Sequence, residues 1–295
     1  MTKLLLTGKN GQLGQDLQPL LTPLGELIAL GKEELDLSNP EQIRKALHTH
    51  QPDLIINAGA YTAVDQAESE PELAHAVNGD APAILAQCAE QIGARLFHIS
   101  TDYVFDGQNN QPYTEQDSPN PMGVYGKSKL AGEAGIQNHC HNYIIVRTAW
   151  VYGTYGKKNF VKTMLRLGKE REELNVVSDQ VGTPSWTHDI AQAIAGLIAN
   201  LPRSPLQKIY HFTNSGVASW YDFSLAVFEE AQGLGFPLKI ERVSPIPTAD
   251  YPTPAPRPLY SVLSGEKIAK ALGTRPPQWR VSLRKMLTQF AKENA

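Results

Sequence analysis

A chain of 295 residues, 41% hydrophobic and 19% charged, has the material for one large α/β domain and a smaller one. A net charge of −3, from 27 Lys+Arg against 30 Asp+Glu, leaves no basic footprint and excludes nucleic acid as an expected partner. Cys88 and Cys140 lack disulfide-framework or metal-ligand spacing and read as buried, inert thiols. The longest weakly charged stretch, Ile190–Leu201, is too short to cross a bilayer and no basic apolar leader precedes the first strand, so no membrane partner is expected and the cytoplasm is the expected location.

In chain order, apolar runs at Lys3–Thr7, Leu27–Leu30, Asp53–Asn57, Arg95–Ser100 and Tyr143–Ala149 predict buried parallel strands. Helical periods fall between them. The first helix starts near Gly11 with Leu13, Leu17 and Leu20 on one face, and Pro19 weakens its second half. Asn39-Pro40-Glu41-Gln42 combines an N-cap, a proline at the first helical position and a polar side chain three residues after the cap. Pro71 opens a helix running to about Ile92. Alternating strands and helices imply right-handed crossovers and a doubly wound sheet. The pattern loosens after Tyr152: helices are expected from about Asn159, from about Thr187 and from Ser219, and a strand at Ile209–Thr213. The proline-rich run Pro245–Pro258 can form neither a helix nor a central strand, and an amphipathic helix Ser282–Phe290 follows. Residues 1–152 are expected to form the dinucleotide-binding domain. Residues 153–295 are expected to form a smaller, mostly α/β substrate-binding region at the sheet's carboxyl edge, with room for some segments to return to the first sheet.

Gly8-Lys9-Asn10-Gly11-Gln12-Leu13-Gly14 joins the first strand to the first helix. Glycines there permit a tight turn, close approach of backbone to a pyrophosphate and close helix–strand packing, and the helix N-terminus offers free N–H groups to the anion. The expected fold is therefore of the Rossmann type. At the end of the second strand no acidic residue follows Leu30 directly. Lys32 can pair with a ribose 2′-phosphate and points to NADPH, with NADH as the alternative. Asp36 can accept from the adenine amino group or cap the next helix.

Tyr125 and Lys129 stand four apart on a helix expected to begin near Gly123, so both face one way. A phenol is a poor acid–base group near neutrality, and a nearby ammonium brings its pKa toward the working range. Lys129 can also donate to the nicotinamide ribose. Ser100-Thr101-Asp102-Tyr103 ends a strand at the carboxyl edge, where a hydroxyl can orient a carbonyl beside Tyr125, and Asn57-Ala58-Gly59-Ala60-Tyr61-Thr62 offers small residues to a cofactor. Arg257 can meet a diphosphate, or its proline-rich run can be only a rigid connector. Asp65, Glu68, Glu70 and Glu72 read as a solvated helix face, and Trp220 as either core or nucleobase contact.

Gly8–Gly14, Asn57–Glu70, Ser100–Gly107, Tyr125–Gly132, Arg147–Gly153, Asn159–Glu173, Ser178–Thr183 and Tyr251–Pro258 together resemble the extended short-chain dehydrogenase/reductases. Within them the resemblance is to the dTDP-4-dehydrorhamnose reductase family. It implies NADPH-dependent reduction of the C4 keto group of a dTDP-linked 4-keto-6-deoxysugar, dTDP-6-deoxy-L-lyxo-4-hexulose, to dTDP-L-rhamnose. It implies Tyr125 as proton donor, Thr101 as its hydroxyl partner and Lys129 as the ribose-binding, pKa-tuning group. Asn10–Leu13, Asp36–Leu37 and Ala60–Thr62 would hold NADPH, and Asp102 and Trp150 would contact the sugar nucleotide. The tyrosine after Asp102 speaks against the similar 4,6-dehydratases, which carry Asp-Glu there. Some relatives bind magnesium through glutamates at a dimer contact. Here Asp16 and His188 take those places, so magnesium is not assumed and a homodimer is left open. The other readings are a reductase or epimerase of another nucleotide sugar, or a non-catalytic NADP-binding subunit similar to the regulatory subunit of methionine adenosyltransferase.

Overall fold

The computed structural model describes residues 2–202 and 204–293. β1 (Lys3–Thr7), β2 (Glu26–Leu30), β3 (Leu54–Asn57), β4 (Arg95–Thr101) and β5 (Tyr143–Thr148) form a parallel sheet in the order β5-β4-β3-β1-β2. Their side chains alternate between two cores. Leu4, Leu6, Ile56 and Val146 point to one face, and Leu5, Ile55 and Ile145 to the other, so strands covered on both sides read as unbroken apolar runs.

α1 (Gln12–Leu21) packs Leu13, Leu17 and Leu21 on the first face. Pro19 stays inside it on the exposed side, where its ring interrupts nothing buried. α2 (Pro40–His50) is capped by Asn39, whose Oδ1 accepts from the amides of Glu41 and Gln42 at 3.0 and 3.2 Å, and it covers the second face with Ile43 and Leu47. The helix expected from Pro71 to Ile92 is continuous as α3 (71–92), but Ala76–Asp80 widens into a π-turn. α4 (Val124–His139) lies beside α3 and carries Tyr125 and Lys129.

α5 (Phe160–Glu170) and β6 (Glu173–Val177) follow. Two later segments return to the first sheet. α6 (Thr187–Ala199) packs Ile190, Ile194 and Leu197 on the face covered by α1, and β7 (Gln207–His211) pairs parallel with β5 and extends the sheet to six strands. The chain then leaves again. α7 (Trp220–Gly233), β8 (Arg242–Ile246) and α8 (Trp279–Glu293) join α5 and β6 around Tyr152, Val161, Phe223, Phe228 and Leu283. Pro245 sits in β8, where a two-stranded parallel pair with β6 leaves the other edge free of a ladder, and the rest of the proline-rich run, to Pro258, is irregular apart from one turn at Thr248–Asp250. α8 starts three residues before the expected Ser282, because Trp279 is itself buried in this second core. Both cysteines are free and buried.

Candidate active site

The carboxyl ends of β1, β3, β4 and β5 open into one crevice of ≈ 970 Å³ between the sheet and the second core. This is where parallel α/β sheets place ligands. Gly8, Asn10, Gly11, Gln12, Leu13, Lys32, Asp36, Leu37, Ala60, Tyr61 and Thr62 line one half. Gly8 has φ +72, and a Cβ there would stand 2.7 Å from Gly59 N. Gly14 does not reach the crevice; a Cβ on it would stand 2.1 Å from Gly8 O, so its absence lets α1 close onto the turn. Gly11 caps α1 with no side-chain bond and no acid follows in the first turn, which leaves the helix N-terminus facing the crevice without a competing anion. These features fit a dinucleotide pyrophosphate.

At the end of β2, Glu34 folds back, accepts from Gly31 N at 2.8 Å and pairs with Lys9, while Lys32 stands exposed at the rim with no ion pair among the described residues. The carboxylate there is thus already engaged. Asp36 holds Ser38 N and Oγ at 2.9 and 2.8 Å, bonds that keep its carboxyl below the usual range; the cap of α2 is Asn39. Tyr61 is clamped by Asn78, which accepts from Tyr61 N and donates to Tyr61 O, both at 2.9 Å, and also donates to Ser128 Oγ on α4 at 3.1 Å. The π-turn of α3 aims Asn78 into this position, a feature with no signal in hydrophobic periodicity.

Tyr125, Lys129, Thr101, Asp102, Trp150 and Arg257 line the other half together. Tyr125 is half-buried and meets Tyr103 edge-on, ring centroids 5.5 Å apart. Burial raises its phenol above the ordinary value of 10; the Thr101 hydroxyl opposes this, and Asp102 and Tyr103 add to it. Lys129 Nζ donates to Ile99 O at 2.7 Å and lies 3.4 Å from His98 Nε2. Burial lowers it from 10.5 to about 8, against the carboxylate of Glu133. The Ile99 carbonyl holds the amine at β4, and the groups that shift the phenol in this arrangement, besides its burial, are Thr101, Asp102 and Tyr103. Asp102 Oδ1 accepts from Thr101 at 3.0 Å and Oδ2 has no hydrogen bond among the described residues; burial raises this carboxyl from 3.8 to about 6, tempered by the Ser261 and Thr101 hydroxyls.

Trp150 adopts φ +47 and stacks on Trp220 with centroids 3.5 Å apart and planes 3° apart. Gly182 leaves room for the ring, since a Cβ there would be 2.5 Å from the indole. Lys157 and Lys158 join the lining and bring the positive charge that the chain's overall −3 withholds. Arg257 donates to the Tyr103 hydroxyl at 2.9 Å and to Asp65 at 2.8 Å. Three of the four acids read as a solvated face thus have partners at the site: Asp65 holds Arg257, Glu70 accepts from the Tyr61 hydroxyl, and Glu68 accepts from Val124 N at 2.8 Å, capping the helix of Tyr125.

The family model described as RmlD substrate binding domain matches residues 1–292. The chain belongs to this family. It is 44% identical to the dTDP-4-dehydrorhamnose reductase of Escherichia coli (strain K12) over 292 residues, 97% of each chain. The crystal structure of dTDP-4-dehydrorhamnose reductase from Bacillus anthracis in complex with NADP is 38% identical, superposes with a TM-score of 0.90, and covers 98% of this chain and 100% of its own. UDP-glucose 4-epimerase from Thermus thermophilus, with NAD, is 23% identical with a TM-score of 0.80 over 98% of each chain, which shows a shared fold.

In this member of the RmlD family the residues at the expected magnesium position do not form a cation cage. Asp16 is buried with Oδ1 3.6 Å from His188 Nδ1, and the carboxylate raises the imidazole above its ordinary value, favouring its cationic form. Among the described residues no group of three or more His, Cys, Asp or Glu is placed to hold a metal, and no described helix is long and apolar enough to cross a membrane.

Proposed function

We propose that this protein uses NADPH to reduce the C4 keto group of dTDP-6-deoxy-L-lyxo-4-hexulose, giving dTDP-L-rhamnose. The observation that carries the reading is the convergence of Thr101, Tyr125 and Lys129 on one crevice with the glycine turn, in a chain 44% identical to a dTDP-4-dehydrorhamnose reductase. When bound, NADPH supplies hydride to the carbonyl carbon. Gly8–Leu13 would hold its pyrophosphate, Lys32, Asp36 and Leu37 its adenosine half, and Ala60–Thr62 would supply the small-residue stretch between them and the catalytic residues. The Thr101 hydroxyl, released from Asp102, donates to the carbonyl oxygen and fixes it beside Tyr125. The Tyr125 phenol, kept protonated by its burial, transfers its proton to the oxygen as negative charge develops there. Lys129 binds the ribose hydroxyls and neutralises the phenolate left behind. Trp150, backed by Trp220, offers a flat apolar wall to the hexose, while Arg257, Lys157 and Lys158 face the diphosphate.

Residues 1–152, joined by α6 and β7, form the dinucleotide-binding unit in this reading; the rest of 153–295 binds the sugar nucleotide. An enzyme drawing on NADPH works where the cell keeps that reductant, and we place it in the cytoplasm. A homodimer belongs to the same reading, with light scattering as its test. The activity is tested by mixing the protein with freshly made dTDP-4-keto sugar and following NADPH loss and product identity. Preference for a UDP- or GDP-keto sugar would reassign the substrate, and cofactor binding without turnover on any of them would make the chain a binding subunit.

A further inference from the structure

Three polar residues interrupt the apolar strands at neighbouring positions. Thr7 on β1 is in register with Asn57 on β3, which is in register with His98 on β4. All three are buried on the face that α4 covers. Gly59 N donates to Thr7 Oγ1 at 3.2 Å, Thr7 Oγ1 and Asn57 Oδ1 are 2.6 Å apart, Asn57 Nδ2 and His98 Nδ1 are 3.0 Å apart, and His98 Nε2 faces Lys129 Nζ at 3.4 Å.

The short contact in the middle sets the direction of this chain. Thr7 Oγ1 accepts from Gly59 N–H and donates its own proton to Asn57 Oδ1. A separation of 2.6 Å suits O–H···O and is short for N–H···O. Asn57 therefore presents its amide N–H to His98 Nδ1. A neutral imidazole accepting at Nδ1 carries its proton on Nε2, and burial together with the Lys129 charge keeps this imidazole neutral. Nε2–H then points at an ammonium that has only donors to offer.

We propose that His98 is a positioning residue for the reduction: the chain Gly59–Thr7–Asn57 locks it as the Nε2–H tautomer, and that proton opposes the charge of Lys129 from behind while Ile99 O holds the amine in place. The lysine is thereby poised to give up its proton and replenish Tyr125 after each turnover. Other groups around it act differently. Glu133 on the same helix favours the charge but is bound bidentately by Arg147 of β5, at 2.6 and 2.9 Å, and by Ser100 of β4. Tyr125 lies one turn back on α4, Asp102 follows β4, and from α3 the neutral amide of Asn78 donates to Ser128, the residue before Lys129. The proposal rests on the role of Lys129 given above.

Two substitutions test it. Thr7→Val keeps the shape, removes the hydroxyl proton, and frees Asn57 to turn its carbonyl to His98, which reverses the tautomer. His98→Gln can turn an oxygen to the ammonium. Both should move the alkaline limb of the kcat/KM profile for reduction upward by about one pH unit, roughly tenfold in rate on that limb. Imidazole 15N shifts of histidine-labelled protein, with His98 assigned by its loss in H98Q, should show protonated Nε2 in the wild type and protonated Nδ1 in T7V. Circular dichroism checks folding, and if H98Q does not fold, T7V alone decides, with the His98 signal then assigned from sequential backbone resonances. Lys129→Met separates the two levels: near-normal turnover in K129M would sink the catalytic role itself. Collapse in K129M, with an unmoved limb in T7V or Nδ1–H in the wild type, would overturn only the positioning role of His98.

Discussion

Replacing Asp102 by asparagine should make the protein more stable and the enzyme worse. Asp102 is 2% exposed, and burial lifts its carboxyl from 3.8 to about 6. A raised carboxyl pKa means that the folded state prefers the proton. Its favourable contribution is complete below about pH 4, and it is lost as pH rises through about 6. At pH 8 the displacement from 3.8 to about 6 amounts to about 3 kcal/mol of destabilisation. Asparagine removes that charge while keeping the acceptor for Thr101, and its amide takes the place of Oδ2, which has no hydrogen bond among the described residues. Urea unfolding of wild type and D102N should diverge between pH 4 and 6, reach about 3 kcal/mol at pH 8, and coincide at pH 4; in melting temperature this is about 5 °C. Turnover should fall, because Asp102 lines the crevice beside Thr101, where the proposed function puts the reacting sugar. A D102N protein that is less stable at pH 8, or whose advantage is the same at pH 4 and 8, would refute the claim that a buried charge is maintained here for function.

Tyr125→Phe removes the proposed general acid and should cost about 10²–10⁴ in kcat with little change in substrate affinity, measured by turnover and by titration with product. Lys32→Ala should raise the KM for NADPH roughly tenfold and leave that for NADH nearly unchanged, since only the former presents a 2′-phosphate at the β2 end. Gly14→Ala places a methyl where Gly8 O stands 2.1 Å away, so cofactor binding by fluorescence should fall sharply and stability should drop by about 2 kcal/mol. Glu68→Ala leaves the first turn of the Tyr125 helix uncapped, and should cost about 1 kcal/mol in urea unfolding with a rise in amide exchange at Val124.

What the chain determined by itself was everything that depends on short separations. The strand–glycine–helix start of Lys3–Leu21, the Asn39-Pro40 cap and the four-residue spacing of Tyr125 and Lys129 are local geometry, written in periods of two and 3.6 residues. Tertiary structure decided the rest. Nothing in Gln207–His211 marks it as the sixth strand of the first sheet; that follows from an open edge at β5. Glu68 became a cap 56 residues from its partner, Asp65 the counter-ion of Arg257 at 192, and Trp220 the backing of Trp150. Thr7 and Asn57 are each an unremarkable polar residue at a strand end and His98 one in mid-strand, and only the parallel register sets them side by side. Hydrogen bonds and ring stacking act over a few ångströms, so partners far apart in sequence acquire their chemistry only when the sheet has brought them together.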